Sequence, residues 1–266
     1  PQLREYRRER SEKVENGTVN REMSVLSAIF RVQLEREALD FNPCVMLSRL
    51  PENQRDAYLG WEEFERLLKG SWWIHDILVT LYYTGMRFGE VVGLRWEMYK
   101  PDRRMLILPP EATKEGKSTK KSRLRPKRIP LRKEAFDLLE SIRTGDEENV
   151  VRGMGLVFTY SGRYVNHGST YHGKPITRSM IRKAWDAALR KADLQGLQVR
   201  DLRHTWKTNA QRSGMDPSIR NAIVGHSSNR SVEDRYIRIS DDELLKAIDA
   251  MRFDNGWTEL DLVDEG

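Results

Sequence analysis

Two arginines, a histidine and a tyrosine are the side chains whose types and spacing most directly indicate chemistry. Arg87 lies within residues 84–90, and Arg203, His226 and Tyr236 follow in close order more than a hundred residues later. Guanidinium groups bind the oxygens of a phosphate bidentately, and an imidazole can donate a further hydrogen bond to the same group. A tyrosine hydroxyl can attack phosphorus. The combination predicts a phosphate-binding site that cuts and rejoins a nucleic-acid backbone.

The positive charge of the chain is concentrated in one segment. The 266 residues carry a formal net charge of +6, yet residues 114–128 alone hold eight basic residues and one acid. Like charges this close together repel one another, so a polyanionic partner explains the segment better than solubility alone. A solvated lysine-rich loop is the alternative. The basic residues expected to contact DNA are Lys117, Lys120, Lys121, Arg123, Arg125 and Lys127.

Composition is typical of a soluble globular protein. Hydrophobic residues make up 38% of the chain, and the single cysteine, Cys44, excludes an intramolecular disulfide and fits a reducing cytoplasm. No apolar run approaches the roughly 18 residues that a membrane span requires, and the N-terminus lacks the apolar core of a signal peptide. We expect a cytoplasmic protein without a membrane partner. Because the sequence lacks an initiator Met, we also expect it to be part of a longer chain.

Hydrophobic periodicity predicts a mainly α fold with a small antiparallel β-sheet, an α+β class. Two short apolar runs, 105–108 and 128–131, flank the basic segment and are typical of two strands joined by a charged arm. A third, brief strand is expected over 156–159. Helices are expected over residues 18–38, 61–70, 74–83, 90–96, 133–142, 177–192, 201–212, 217–224 and 240–251.

Arg87 is predicted to lie in a tight turn between two of these helices. Gly85 can close the first helix in a left-handed conformation, and the second helix begins immediately after Arg87. A backbone fixed by helices on both sides suits a side chain that must be preorganised. The polar segment 51–56 reads as a linker, which places a domain boundary near residue 55.

Four motifs in this chain resemble those of the tyrosine recombinases, the phage-type integrases that cut and exchange DNA strands. The resemblance covers the chain from about residue 58, and residues 19–43 are similar to the end of the core-binding domain of that family. It implies a helical clamp domain in residues 1–55 and a catalytic domain in residues 56–266. The four motifs are residues 84–90, 201–205, 224–228 and 235–236.

The resemblance also implies roles for the site residues and their partners. Tyr236 would attack the DNA to form a 3′-phosphotyrosyl ester, while Arg87, Arg203 and His226 would hold the phosphate. No carboxylate cluster at metal-ligand spacing appears in the sequence, so neither a metal nor another cofactor is expected. Double-stranded DNA would be the partner, bound by a homotetramer, with the C-terminal helix packing on a neighbouring protomer. In free solution we expect a monomer.

Two assignments stay open at this point. Similarity to the family indicates Lys114 as the general acid that protonates the leaving 5′-oxygen, but Lys117, Lys120 and Lys121 on the arm are rivals. The position three residues before Arg203, commonly histidine in the family, is Arg200. Arginine holds phosphate but cannot act as a base at neutral pH, so reduced or altered activity is expected. A DNA-binding regulator or architectural protein that kept the fold is the alternative function.

Overall fold

The computed structural model describes residues 2–52, 57–114, 126–144, 155–160, 174–225 and 239–253. Contacts divide the chain into two compact units, Pro1–Asp56 and Ala57–Gly266. The architecture is mainly helical with one three-stranded antiparallel sheet, which confirms the predicted fold class. Within the described ranges, every helix is too short or too polar to cross a membrane.

The first unit is built from two helices, α1 (Gln2–Ser11) and α2 (Asn16–Glu35). An ion pair of 2.6 Å between Arg10 and Glu22 joins the helices. The Asn20 side chain exchanges hydrogen bonds of 2.9 Å with the backbone of Leu50 in both directions, which fixes the following chain against α2. Helix α2 therefore agrees with the predicted amphipathic helix, although it ends three residues early.

The second unit contains eight helices and three strands among the described residues. The strands pair in the order β1-β2-β3, and Leu106 of β2 lies opposite Ile129 of β3. The strands β2 and β3 follow the predicted pattern, whereas β1 was not predicted from the sequence. The elements are α3 (Trp61–Gly70), α4 (His75–Thr84), α5 (Phe88–Val92), β1 (Tyr99–Lys100), β2 (Met105–Leu108), β3 (Lys127–Pro130), α6 (Lys133–Thr144), α7 (Arg178–Ala192), α8 (Asp201–Arg212), α9 (Pro217–Val224) and α10 (Asp241–Asp249).

Helix α4 forms the centre of the second unit and packs against α6 and α8. Its residues from Ile77 to Thr84 are all buried. Tyr82 stacks on Phe64 with 3.7 Å between the ring centroids, and the indole of Trp206 on α8 donates a hydrogen bond of 3.2 Å to the carbonyl of Tyr83. Because Trp206 is fully buried, it fixes the C-terminal end of α4 against α8.

Two predicted elements between residues 90 and 160 are shorter than expected. Helix α5 ends at Val92 rather than at residue 96, and the strand predicted over 156–159 is reduced to an isolated bridge between Arg95 and Leu156. Both differences have one cause. The Leu94 carbonyl accepts from the Val157 amide at 2.8 Å, and the Trp96 amide donates to Gly155 at 3.0 Å. These main-chain groups are committed to a tertiary pairing, so the helix cannot continue.

Helix α10 packs on β3 and α9 of its own chain, and the packing on a neighbouring protomer that the resemblance implied stays a prediction. Its apolar residues Leu244 and Ile248 are buried. Asp241 at its first turn forms ion pairs with Arg103, which lies before β2, and with Arg128 of β3. Ser240 caps the helix, and its hydroxyl accepts from the Glu243 amide. The helix therefore packs within the second unit, and it ends at Asp249, two residues earlier than expected.

Candidate phosphate-binding site

The turn between α4 and α5 presents Arg87 with a fixed backbone. Gly85 closes α4 in the left-handed region, with φ of 61°, and its amide donates to the Leu81 carbonyl at 3.0 Å. Arg87 then adopts an extended conformation and serves as the residue that begins α5. This confirms the predicted helix-to-helix turn, in which neighbouring helices hold the backbone of Arg87.

Gly85 is a position where no side chain fits. A Cβ there would lie 2.5 Å from Cδ2 of Trp206, whose indole is held by its own hydrogen bond. We expect Gly85→Ala to lower the free energy of unfolding by about 3 kcal/mol, since positive φ and overpacking each cost about 1–3 kcal/mol. Equilibrium urea denaturation measures the change.

The matched control is Gly89→Ala in the neighbouring helix, where an added Cβ would meet nothing within 4 Å. Alanine there should raise the free energy of unfolding by about 0.5–1 kcal/mol because glycine costs helix stability. Equal stabilities for the two variants would show that Trp206 does not fix the turn.

Glu90 holds Arg87 in place from within the buried interior. Its Oε1 accepts from Arg87 Nη1 at 3.0 Å, and its Oε2 accepts from the Arg87 amide at 3.0 Å and from Lys127 Nζ at 2.8 Å. Burial acts to raise the pKa of Glu90, but the Lys127 ammonium and the Arg87 amide and guanidinium outweigh it, and the net pKa is lowered. Glu90 is therefore an anion that orients one face of the Arg87 guanidinium.

Arg203 connects that turn to the end of α9. Its Nη1 donates to the Gly85 carbonyl and its Nη2 to the Val224 carbonyl, both at 2.8 Å. Gly85 is two residues before Arg87, so the structure brings the two predicted arginines to the same turn. The side chain of Arg203 is half-buried, which limits its motion. A guanidinium carries five N–H donors in a fixed plane, a geometry suited to binding the oxygens of a phosphate in pairs.

Lys127 occupies a different place from the one predicted. We expected it on the solvent-facing arm with the DNA-contacting lysines, but it begins β3 with its side chain only 5% exposed and bonded to Glu90. The pKa of Lys127 is lowered to about 8, chiefly by burial, with the charges of Arg203 and Arg87 acting in the same direction and Glu90 opposing them. The alternation of the strand explains the location, because Lys127 points to the same face as the buried Ile129.

Two other predicted site residues lie at the surface of the described chain. Lys114 is exposed and follows Thr113, whose hydroxyl donates to the Pro110 carbonyl at 2.8 Å. Arg200 is also exposed and begins α8, one turn before Arg203. Residues three apart on a helix share a face, so Arg200 can approach a ligand held by Arg203. Outside the described residues lie Lys117, Lys120, Lys121, Arg123, Arg125, His226 and Tyr236.

One cation near the site was not singled out from the sequence. Lys207 is half-buried one turn after Arg203, and its pKa is lowered by burial and by the charges of Arg203 and Arg220. The spacing of four residues from Arg203 was a signal available in the sequence. The resulting cluster adds positive potential along α8, towards α9.

Comparison with known proteins agrees with this geometry. The model of the phage integrase family matches residues 63–243. The integrase of Salmonella phage P22 is 24% identical over 229 residues, covering 84% of this chain and 54% of that protein. The ICEBs1 integrase of Bacillus subtilis (strain 168) is 24% identical over 238 residues, covering 83% of this chain and 61% of that protein.

A likeness of fold extends to a solved structure. The Tn1549 transposon integrase in complex with circular intermediate DNA superimposes with a TM-score of 0.64 at 18% identity, covering 90% of this chain and 81% of the other. Because the family match spans most of the sequence, this chain belongs to the phage integrase family. The chain spans somewhat more than half the length of the two relatives described above.

Proposed function

We propose that this protein is a site-specific DNA recombinase that cleaves and rejoins strands through a 3′-phosphotyrosyl intermediate. The observation that carries the proposal is that Arg87 and Arg203 meet at one turn, where Glu90 holds the first and the carbonyls of Gly85 and Val224 hold the second. Membership of the phage integrase family supports it. Double-stranded DNA is the proposed substrate, because the basic arm after β2 is suited to its phosphates.

The two arginines would stabilise the charge that develops on phosphorus during attack. Preorganised donors aimed at such charge are commonly the largest catalytic contribution, each worth about 100- to 1000-fold in rate. Since Glu90 and two carbonyls already fix these guanidiniums, little reorganisation is needed when DNA binds. Two fixed cations also supply the charge that a metal ion would otherwise bring, so we propose metal-independent chemistry.

Tyr236 is the proposed nucleophile. Its oxygen would form a bond to phosphorus while the bond to the 5′-oxygen breaks, and the strand would remain attached as an ester. His226, which follows the glycine that ends α9, would donate to a phosphate oxygen. Arg200 would add a further donor but cannot accept the phenol proton. The 5′-hydroxyl later attacks the ester in the reverse step and restores the DNA backbone.

The assembly on DNA is proposed by resemblance to the family. Residues 1–55 would form part of a clamp that closes on the duplex with the catalytic unit, and four protomers would act on two sites. The protein would be a monomer in free solution and would work in the cytoplasm. Binding dominated by phosphate contacts would weaken steeply as salt concentration rises.

The direct test is a search for covalent protein–DNA adducts. The protein is incubated with a pool of nicked duplexes that carry a randomised core, from which a cleaved fragment diffuses away and traps the intermediate. Adducts that survive denaturation are isolated and sequenced, and the site they define is used in all later assays. Chelator should leave the yield unchanged. Tight binding to the pool with no adduct would instead support a DNA-binding regulator.

Lys114 is predicted to protonate the leaving 5′-oxygen. Lys114→Ala should slow adduct formation by about 100- to 1000-fold, within the range of general-acid catalysis. A DNA substrate with sulfur in place of the bridging 5′-oxygen should restore the rate, because a thiol has a pKa near 8.5 and leaves without a proton. The measurement is the rate of adduct formation on both substrates.

The rivals on the arm provide the controls for this assignment. Lys117→Ala, Lys120→Ala and Lys121→Ala should weaken DNA binding without a defect that sulfur corrects. If one of them, and not Lys114→Ala, is restored by the sulfur substrate, the general acid is that residue.

A further inference from the structure

We propose that Lys127 is a positioning residue of the strand-transfer site, whose ammonium holds Glu90 and, through it, the guanidinium of Arg87. The inference rests on the proposed function and deepens it, because it adds a lysine that acts on the phosphate site without touching DNA. Three features of the surroundings of Lys127 carry it: the bond to Glu90, the charges of Arg87 and Arg203, and the close passage of the chain at Gly225.

The bond from Lys127 gives the two oxygens of the Glu90 carboxylate different partners. Lys127 Nζ and the Arg87 amide both donate to Oε2, which leaves Oε1 for the Arg87 guanidinium. Lys127 is fixed on β3, where its backbone pairs with Leu108 of the adjacent strand. The sheet thereby sets the position of the carboxylate. Without the ammonium, Oε2 would lose a donor and could turn towards the guanidinium, which would change the orientation of Arg87.

The electrostatic surroundings of Lys127 argue against a purely structural role. A buried ammonium is costly, and an apolar residue of similar volume usually stabilises a core at least as well as a buried ion pair. Here Arg87 and Arg203 add repulsion, which lowers the pKa of Lys127 together with burial. An apolar side chain at this position could not donate to the carboxylate of Glu90. The role of Lys127 concerns the charged residues around it.

The stem of Lys127 also supports the chain that enters the histidine motif. Gly225 ends α9 with φ of 75°, and a Cβ there would lie 3.3 Å from Cδ of Lys127. The glycine backbone therefore passes close against the lysine stem. His226 is the next residue in the sequence. Lys127 thus contacts Glu90 behind Arg87 and the residue before His226, two of the family motifs.

The position of the ammonium separates this role from general-acid catalysis. Its side chain is 5% exposed, and its hydrogen bond goes to Glu90. A general acid must reach the leaving oxygen directly or through one water. Lys114, at the exposed start of the arm, remains the proposed donor. The two lysines should therefore respond differently to a leaving group that needs no proton.

The titration of Lys127 gives the inference a pH signature. One pH unit above a pKa of about 8, only about a tenth of the ammonium groups remain, so cleavage should fall as pH rises through 8. The folded pKa lies below the ordinary 10.5, so between those values deprotonation favours the folded state. This contribution to stability rises with pH where activity falls. The charged groups around Lys127 are Glu90 on α5, Arg87 in the turn and Arg203 on α8, while Asp241 of α10 pairs with Arg103 and Arg128.

The experiment compares Lys127→Met with Lys127→Arg on the site identified from the adduct pool. Lys127→Met keeps the length of the stem but removes the charge, and it should slow adduct formation by about 100-fold at saturating DNA, as a misplaced catalytic group does. The sulfur-substituted DNA should not restore it. Lys127→Arg should recover most of the rate. Because arginine keeps its proton, the ratio of the Lys127→Arg rate to the wild-type rate should rise about 10-fold from pH 7 to pH 9. Lys133→Met, an exposed lysine on α6, is the control for loss of charge and should match the wild type.

A second variant separates positioning from folding. Glu90→Gln combined with Lys127→Met removes both buried charges, so its melting temperature should exceed that of Lys127→Met alone. Its adduct formation should stay low. Recovery of the wild-type rate in this double variant, a wild-type rate in Lys127→Met, or rescue of Lys127→Met by sulfur would each overturn the inference. A wild-type protein that forms no adduct would overturn the proposed function and this inference with it.

Discussion

Tyr236→Phe should abolish the covalent protein–DNA adduct, with a loss of at least about 10,000-fold in the rate of its formation. The phenyl ring fills nearly the same volume, but no oxygen remains to bond with phosphorus. The phosphate-binding residues are unchanged, so affinity for the DNA site should stay within about threefold of the wild type. Denaturing gels measure the adduct, and fluorescence anisotropy measures the affinity.

Tyr160→Phe is the matched control for loss of a tyrosine hydroxyl. Tyr160 packs edge-on against Trp73, with 4.9 Å between the ring centroids, and lies outside the site motifs. The variant should form adducts at the wild-type rate. If adducts persist in Tyr236→Phe, another nucleophile performs the attack and the assignment of Tyr236 is wrong.

Arg203→Lys should produce the second-largest loss, about 1000-fold in adduct formation at saturating DNA, as expected for removal of a preorganised charge-stabilising donor. Lysine retains the positive charge but has a single ammonium. It cannot donate to the Gly85 and Val224 carbonyls and also present a planar pair of donors to phosphate. Single-turnover rates at several DNA concentrations separate this effect from weaker binding.

Arg212→Lys on the same helix controls for the general effect of this substitution. Arg212 lies over the Tyr58 ring, 4.6 Å from its centroid, and its role is packing. Its adduct rate should stay within about twofold of the wild type, as for a surface change away from the site. A wild-type rate in Arg203→Lys would show that charge alone, and not donor geometry, stabilises the transition state.

The arrangement of charges links the two largest expected effects to the buried network behind them. Arg87 and Arg203 point to one turn because Trp206 holds α4 against α8, and because Glu90 and Lys127 connect α5 to the sheet. Each of these contacts joins segments distant in sequence. Loss of a residue behind the arginines should therefore reduce catalysis while DNA binding by the basic arm is kept. Variants at Lys127 and at Arg203 should both slow adduct formation, by different factors.

Local sequence signals predicted most of the elements and the turn that carries Arg87. Apolar periodicity located α2, α3, α4, α7, α8 and α9 within a few residues, and a proline after Asp216 and a capping serine at 240 marked helix starts. These signals act over one or two turns of chain, so they can be read without knowledge of the partner. The four motifs likewise predicted the family, since each is a short local pattern.

Tertiary contacts decided what those signals could not. Main-chain pairing of residues 94–96 with 155–157 ended α5 early and reduced the predicted third strand to a bridge. Helix α10 packs on β3 and α9 of its own chain, and Asp241 at its first turn pairs with Arg103 and Arg128. In both cases the deciding partner lies tens of residues away. Propensity and periodicity carry no information about such partners.

The functional site likewise combines features that the sequence determines with features that only the tertiary structure decides. The sequence by itself determined that two arginines, a histidine and a tyrosine occur in motifs suited to a phosphodiester, because residue type and local spacing specify that chemistry. Only the tertiary structure decided that Arg203 bonds to the turn of Arg87 and that Lys127 leaves the basic arm to pair with Glu90. The sequence of a lysine-rich segment does not indicate which lysine is buried, because burial depends on the strand pairing that turns the side chain inward. The energy of a buried charge depends on which partners the fold brings within hydrogen-bonding distance.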